Sequence, residues 1–268
     1  MPGTDRPKLG RLFDEVPELY DRVRPTYPDD LFADLAALTG MTAGAAVLEV
    51  GCGTGQATGS LAARGYSVTA VEPGAGMAAV ARRRLPAVEI EESTFEEWDD
   101  RDRRFDVLVA ASAWHWVESS VGWPRAHALL RPDGWMALLG HVVVRRAGEA
   151  EAYAETVDLH EQASPGNPDW GHPPLEVDVR ATDTGWGTGN DPGRLFDPAI
   201  LRWYATVQWF DGAGYADLLR SLSPYRRLDQ DVREPLLDAI AERIRTRLDD
   251  RIARRYLTVL RAGRRAGG

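Results

Sequence analysis

Val47–Gly55 reads VLEVGCGTG, a short apolar run that leads into three alternating glycines. Glycine is needed where a backbone turns sharply and approaches a ligand that a Cβ atom would push away. The run therefore predicts a strand followed by a loop that holds a nucleoside cofactor. The spacing is G-x-G-x-G, and Gln56 stands where the dinucleotide pattern G-x-G-x-x-G has its third glycine. Glu49, two residues before the first glycine, is poorly placed beside a diphosphate and well placed near a cation.

This loop resembles the first motif of class I S-adenosylmethionine (SAM) methyltransferases, E/D-x-G-x-G-x-G. The family uses the motif to hold the cofactor, whereas other Rossmann-type nucleotide binders use the dinucleotide spacing. The resemblance implies that the cofactor contacts the acid, the three glycines and the residue that follows them: Glu49, Gly51, Gly53, Gly55 and Gln56.

Downstream of residue 45, short β-type runs alternate with helical segments, which is the pattern of a parallel sheet built from βαβ units. The turn residues Arg131–Gly134, RPDG, precede the fifth strand. In the family the sheet has six parallel strands and an antiparallel last strand. We therefore expect an α/β fold with a seven-stranded, mostly parallel Rossmann-like sheet and helices on both faces. The predicted strands are 45–50, 67–71, 88–91, 105–110, 135–143, 201–210 and 256–260, with helices over 56–63, 77–85, 121–130, 149–163 and 236–248.

The chain divides into four predicted segments. Residues 1–40 form helices that cover the cofactor, 41–144 the SAM-binding core, 145–198 an insertion, and 199–268 the end of the sheet, with a helix packed on it. Long irregular insertions are usually lids, binding loops or disordered segments. The tryptophans of residues 145–198 favour a lid made of helix and loop, because disordered segments are poor in aromatic residues.

Composition restricts the partners and the compartment. Hydrophobic residues make up 44% of the 268, and no apolar run reaches the roughly 18 residues of a membrane span. The first residues are polar, which predicts a cytoplasmic protein without a signal peptide or membrane contact. A net charge of −9 argues against general nucleic-acid binding and favours a small-molecule substrate. The arginine-rich stretch 243–265 is interpreted as the solvated face of a helix and an edge strand.

Further cofactor contacts are predicted after the second and third strands. Glu72 lies where Rossmann-type folds place a carboxylate that accepts hydrogen bonds from ribose hydroxyls. With Pro73 and Met77 it resembles the acidic segment of the family, although Met77 is equally suited to the core. The resemblance implies that Thr94 and Phe95, after the third strand, contact the adenine.

An N-terminal segment also resembles the family. Tyr20–Pro28 fits the pattern Y-D-x-x-R-P-x-Y-P, which folds over the cofactor in these enzymes. Arg24 could then form a two-point pair with the carboxylate of SAM, a geometry that lysine cannot copy. Tyr20 would lie beside the cofactor and Tyr27 beside the substrate. The alternative is a linker with no contact to a ligand.

The fourth strand ends in a segment that resembles a small-molecule subgroup of the family, of the methyltransferase type 11 or trans-aconitate methyltransferase kind, which carries an H-W pair here. Ala111 would line the cofactor and Trp116 the substrate. His115 is a candidate general base, because imidazole titrates near neutrality, or it only hydrogen-bonds and shapes the pocket. Trp170 and Trp186 could extend an apolar substrate pocket. The five histidines lack metal-ligand spacing, so no metal is predicted.

The sequence thus predicts a SAM-dependent methyltransferase that acts on a small, partly aromatic metabolite, secondary metabolites included. It leaves the acceptor atom open among O, N, S and C, and it does not specify the oligomeric state. Two other classes remain: a SAM-binding fold used for a non-methylating, cyclase-type reaction or as a regulatory module, and an NAD-type oxidoreductase. The glycines and Glu72 would be needed in the first of these as well.

Overall fold

The computed structural model describes residues 14–183, 185–187 and 192–267, so residues 1–13 of the predicted segment 1–40 lie outside it. Within these ranges one sheet contains seven strands. They are Ala46–Val50 (β1), Ser67–Glu72 (β2), Glu89–Glu92 (β3), Phe105–Ala111 (β4), Leu130–Val143 (β5), Ile200–Phe210 (β6) and Ile252–Arg264 (β7).

The strand order is β3-β2-β1-β4-β5-β7-β6. The strands β1 to β5 pair in parallel, and β7 is antiparallel to both of its neighbours, β5 and β6. The strand β6 therefore runs in the same direction as β5. The mostly parallel, seven-stranded α/β fold with an antiparallel last strand is confirmed.

Ten α-helices lie in the described ranges, with a 3₁₀ turn at Trp114–Trp116 after β4. The second helix ends for a local reason: Gly40, which follows it, has a φ of 70°, a left-handed conformation that commonly ends helices. The helices are Pro17–Val23 (α1), Asp29–Thr39 (α2), Gln56–Ala63 (α3), Ala75–Arg84 (α4), Ser119–Leu129 (α5), Val157–Ala163 (α6), Glu176–Thr182 (α7), Gly212–Arg220 (α8), Ser223–Arg226 (α9) and Gln230–Arg247 (α10).

Alternation along the strands places helices on both faces of the sheet, as predicted. Val47 belongs to a core cluster that includes Leu35 of α2 and Leu61 of α3. Leu48, the next residue, faces the opposite cluster, which includes Trp123 of α5. Successive side chains of a strand point to opposite faces, so both faces of β1 are apolar and covered.

The helix predicted from the four-residue pattern at 236–248 is present as α10, but it was expected to pack on the sheet. Its apolar side packs mainly against α8 and α6. Leu237, Ile240 and Ile244 share a buried cluster with Leu218 of α8 and Val23 of α1. This third cluster lies at the side of the sheet where α1 and the insertion meet.

Two predicted elements differ from the structure. Only Val157–Ala163 of the helix predicted at 149–163 is helical, because the Glu151 side chain accepts hydrogen bonds from the backbone N–H of Tyr153 and Ala154 and holds a turn there. The RPDG segment does not precede the fifth strand but lies inside β5 as a bulge, with Asp133 at a φ of 69°.

The interpretation of 243–265 as a helix and an edge strand is wrong for the strand. The edge of the sheet on this side is β6, because β7 inserts between β5 and β6 and pairs along its whole length. Arginines of β7 form ion pairs instead, Arg255 with Glu149 and Arg261 with Asp183. In the described ranges, helices that combine the length and apolar character required to cross a membrane are absent.

Candidate functional site

A cavity of about 1080 Å³ opens at the carboxyl edge of the sheet. It lies where β1 and β4 are neighbours and the chain turns away to opposite sides, the position at which open α/β sheets bind ligands. Most of the residues that the sequence singled out line this cavity. They are Tyr20, Arg24, Tyr27, Glu49, Gly51, Gly53, Gln56, Glu72, Pro73, Met77, Thr94, Phe95, Ala111, His115 and Trp116.

The glycine loop has the sharply turning backbone that its sequence predicts, with its glycines in the left-handed region that other residues rarely adopt. Gly51 has a φ of 69°, and a Cβ atom there would lie 2.5 Å from the Cβ atom of Ala113. Gly55 has a φ of 91°, but it does not line the cavity; a Cβ atom there would meet the Leu85 side chain at 2.9 Å. Gly55 therefore allows α3 to start and to pack against the end of α4, and its contact with a cofactor stays a prediction.

Glu72 connects the loops that follow β1 and β2. Its Oε2 atom accepts a hydrogen bond from the N–H of Gly53, and its Oε1 atom accepts one from the N–H of Gly74, both at 2.8 Å. Burial raises the pKa of Glu72, while the two N–H donors act in the opposite direction. Each carboxylate oxygen keeps a second lone pair, so the group can accept hydrogen bonds from ligand hydroxyls.

Glu49 is fully buried in the cavity wall. Neither of its carboxyl oxygens has a hydrogen-bond partner among the described residues. Burial raises its pKa to about 8, the nearby hydroxyl of Thr58 acts in the opposite direction although the two groups form no hydrogen bond, and the negative charge of Glu72 adds to the rise. A buried polar group without a partner requires an explanation, and a cationic ligand group in the cavity provides one.

The N-terminal segment lies over the cavity. The guanidinium of Arg24 stacks on the Tyr20 ring at 4.5 Å. The hydroxyl of Tyr27 is 2.9 Å from Oγ of Ser112. Asp21 forms an ion pair of 2.5 Å with Arg84 of α4, which fastens α1 to the core. The R-P-x-Y-P segment is thus part of the cavity wall and not a remote linker.

His115 and Trp116 stand in the 3₁₀ turn after β4. Trp114 of the same turn is buried and packs edge-on against Trp123, with ring centroids 4.9 Å apart. The next two side chains line the cavity, where the rings of His115 and Trp116 are 4.7 Å apart. The buried tryptophan therefore acts as the anchor that positions the H-W pair.

Sequence reasoning missed His141 on β5. Its ring stacks on Tyr27 at 4.4 Å, and its Nδ1 atom lies 2.8 Å from Oγ1 of Thr258. Its Nε2 atom is buried and has no partner in the described part of the chain. Burial, with the charge of Arg24, lowers its pKa to about 4, so it is neutral at physiological pH. Its place at the carboxyl end of a predicted strand was the available signal.

A second cavity, of about 650 Å³, adjoins the first and shares Val143, Leu222 and Arg254 with it. Trp170 lines this smaller cavity and not the larger one. Its ring packs against His160 at 4.9 Å and Tyr225 at 5.2 Å. The insertion therefore contributes an aromatic wall beside the larger cavity.

The prediction that Trp186 lines a substrate pocket is wrong. Trp186 is 8% exposed and packs in the core against Trp123 and Phe196, with ring centroids 5.4 and 5.8 Å away. The adjacent Gly263 has no room for a side chain, since a Cβ atom would lie 2.4 Å from the indole. Trp186 thus holds the insertion against the sheet and does not line either cavity. Over the described ranges, no three His, Cys, Asp or Glu side chains are grouped as metal ligands.

Residues 47–134 match the family described as "Methyltransferase domain". An uncharacterized methyltransferase of Mycobacterium tuberculosis is 34% identical over 138 residues, which are 52% of this chain and 55% of that protein. A trans-aconitate 2-methyltransferase of Paracidovorax citrulli is 33% identical over 138 residues, 49% of this chain and 48% of that protein. The chain spans about half the length of the curated relatives it matches.

Solved structures show the same fold over more of the chain. A protein of Anaeromyxobacter dehalogenans assigned as a type II methyltransferase is 25% identical, with a TM-score of 0.67 over 91% of this chain and 99% of that one. A phosphoethanolamine N-methyltransferase of Haemonchus contortus has a TM-score of 0.51 at 16% identity, over all of this chain and 61% of that one. The resemblance carried by VLEVGCGTG is confirmed.

Proposed function

We propose, from the premise that residues 47–134 of this chain match a methyltransferase-domain family, that the protein binds SAM and transfers its methyl group to a small-molecule acceptor. The observation that carries the proposal is the fully buried carboxyl group of Glu49, which has no partner among the described residues and borders the glycine loop. In this proposal, residues 41–144 hold the cofactor, 14–40 cover it, and the described part of 145–198 shapes the acceptor side.

The residues of the larger cavity fit the parts of SAM. Glu72 would accept hydrogen bonds from the ribose hydroxyls, and Glu49 would pair with the ammonium group. Arg24 would pair with the carboxylate of the amino-acid tail. Met77, Thr94 and Phe95 are assigned to the adenine side. When bound, SAM supplies a methyl group that is already activated on a sulfonium.

The remaining residues act on the acceptor. His115 would take the proton from the acceptor's nucleophilic atom as a general base. Trp116 and Tyr27 would exclude water and orient the acceptor, and these effects supply much of the rate in a displacement that needs little acid or base chemistry. His141, neutral at physiological pH, adds a second imidazole to this wall.

The proposal is tested in two steps. A thermal-shift panel compares S-adenosylhomocysteine (SAH), SAM and NADH; a ligand at a hundredfold excess over Kd stabilises a protein by about 2.7 kcal/mol. We expect stabilisation by SAH and SAM and none by NADH, whereas stabilisation by NADH alone would support an oxidoreductase.

The second step follows turnover with SAM and a panel of acceptors by mass spectrometry. The panel includes trans-aconitate, because one relative is a trans-aconitate 2-methyltransferase. SAH formed in proportion to a methylated product supports methyl transfer. An acceptor that is converted while SAM is not consumed would instead support the cyclase-type alternative.

A further inference from the structure

Arg254 on β7 stands at the junction of the two cavities. It lines both of them, together with Val143 and Leu222, and it is the charged member of this shared wall. Its Nε atom is buried and lacks a hydrogen-bond partner in the described part of the chain. A guanidinium at this position faces any molecule that extends from the smaller cavity toward the larger one.

The other arginines of the smaller cavity are satisfied by the protein. Arg146 is paired with Glu176 at 2.8 Å, and Arg255 is paired with Glu149. Arg145 donates from Nε to the backbone oxygen of a proline at 3.0 Å. Arg254, in contrast, forms no ion pair with a carboxylate of the described residues.

The acids of the smaller cavity are also engaged elsewhere. Asp169 pairs with Arg227 at 2.5 Å, outside the cavity wall. Glu151 accepts hydrogen bonds from two backbone N–H groups and lies 2.5 Å from Nδ1 of His172. These carboxylates therefore have partners other than Arg254.

Phenol groups surround the Arg254 guanidinium. Tyr215, Tyr225 and Tyr256 lie around it; it hydrogen-bonds the Tyr215 side chain and is 5.8 Å from the centroid of the Tyr256 ring. Burial raises the pKa of all three phenols, so they remain neutral at physiological pH. They offer Arg254 dipoles but no negative charge. A buried charge without a counter-charge is costly, so a site of this kind favours an anionic ligand.

We infer that the acceptor is an organic carboxylate, and that Arg254 binds its carboxylate group. The inference rests on the proposed function, because it names the substrate class of that same site. A planar guanidinium matches a carboxylate with two parallel hydrogen bonds. The rings of Trp170 and Tyr153 in the smaller cavity provide an apolar, aromatic surface for the body of the molecule.

Binding of matched probes tests the inference without turnover. The full chain, saturated with SAH, is titrated calorimetrically at pH 7 with 3-phenylpropionate, cinnamate and indole-3-acetate, each compared with its primary amide. We expect at least one carboxylate to bind about tenfold or more tighter than its amide, the range expected of a charge-assisted pair. Equal or weaker binding of every carboxylate would overturn the inference.

Arg254→Met should remove the preference for the carboxylate and leave the affinity for SAH within about twofold. Arg254→Lys, which keeps the charge but loses the planar fork, should keep part of the preference. Arg264→Met is the matched control, since Arg264 also lies on β7, pairs with Asp133 at 2.5 Å and lines neither cavity. An unchanged preference in Arg254→Met, or a loss of SAH affinity larger than the loss of carboxylate affinity, would contradict the assignment.

Two further outcomes are distinguishable. If the wild-type protein does not bind SAH, the proposed function fails, and titration without SAH still reports whether Arg254 selects carboxylates. If 2-phenylethyl phosphate binds tighter than every carboxylate, the anion is a phosphate and the carboxylate assignment is wrong. Because the wild-type comparison of acid and amide needs no variant, the test also holds if Arg254→Met does not fold.

Discussion

The two cavities differ in both origin and charge. The larger one is built by loops that directly follow β1, β2 and β4, and its central groups are backbone amides and the carboxyls of Glu49 and Glu72. The smaller one is built by the insertion, by α8 and α9 and by β7, and its central groups are aromatic rings and the cation of Arg254.

This difference separates residues that match the family model from residues that do not. The family match covers 47–134, which contains the glycine loop and most of the larger cavity. The smaller cavity lies entirely outside the matched residues. The chemistry of methyl transfer is therefore expected to follow the relatives, and the choice of acceptor is expected to follow the smaller cavity.

The largest expected effect concerns catalysis within the larger cavity. His115→Asn should lower kcat by about 100-fold or more if the imidazole is the general base. Calorimetry should show an unchanged affinity for SAH. A kcat within about threefold of the wild type would instead assign His115 to shaping the pocket.

Glu72→Ala should weaken SAH binding by about 100-fold, or about 3 kcal/mol, because it removes a charged acceptor and releases two backbone N–H groups. Glu89→Ala is the control, since Glu89, on the neighbouring strand β3, is an exposed acid that pairs with Arg103 at 3.1 Å. The carboxylate preference assigned to Arg254 should persist in both variants. Unchanged SAH affinity in Glu72→Ala would refute the ribose assignment.

Trp170→Ala should raise the KM of the acceptor by about tenfold and leave the Kd of SAH unchanged, because Trp170 contacts only the smaller cavity. Trp170→Phe, which keeps an aromatic surface, should show most of the wild-type KM. Steady-state kinetics and calorimetry measure the two constants separately. Equal changes in KM and in the Kd of SAH would mean that the two cavities do not act independently.

The smallest expected effect is the release of about one proton from Glu49 when SAH binds. The folded-state pKa of Glu49, about 8, lies above its ordinary value of 4.5, so stability falls as pH rises through that window. An ammonium group bound beside Glu49 would lower this pKa, so SAH binding at pH 7 should release about one proton. Calorimetry in buffers of different ionisation enthalpy measures this release. Glu49→Gln should show none, and release of the same size would contradict the assignment.

The sequence predicted the larger cavity well because local patterns determine it. The strand β1, the glycine loop and Glu72 at the end of β2 belong to one βαβ unit. Its parallel strands bring their carboxyl ends together. Thr94, Phe95 and the H-W pair follow the next strands in the same way. The positions of these residues needed no knowledge of distant contacts.

The smaller cavity could not be predicted in this way because it depends on pairing between distant residues. Arg254 reaches the cavity through the register of β7, in which Thr258 pairs with His141 of β5. Trp170 and Trp186 look alike in the sequence, yet one lines a cavity and the other is core. The difference arises from their neighbours, Tyr225 in one case and Phe196 in the other.

The insertion of β7 between β5 and β6 has a consequence for the order of folding. As a chain leaves the ribosome, β1 to β5 can pair while they emerge, but β6 must wait for a strand that is synthesised after it. Arg254, Tyr256 and Thr258 all belong to β7, so both cavities lack one wall until that strand inserts. The glycine loop after β1 can therefore form first, and both cavities are completed last.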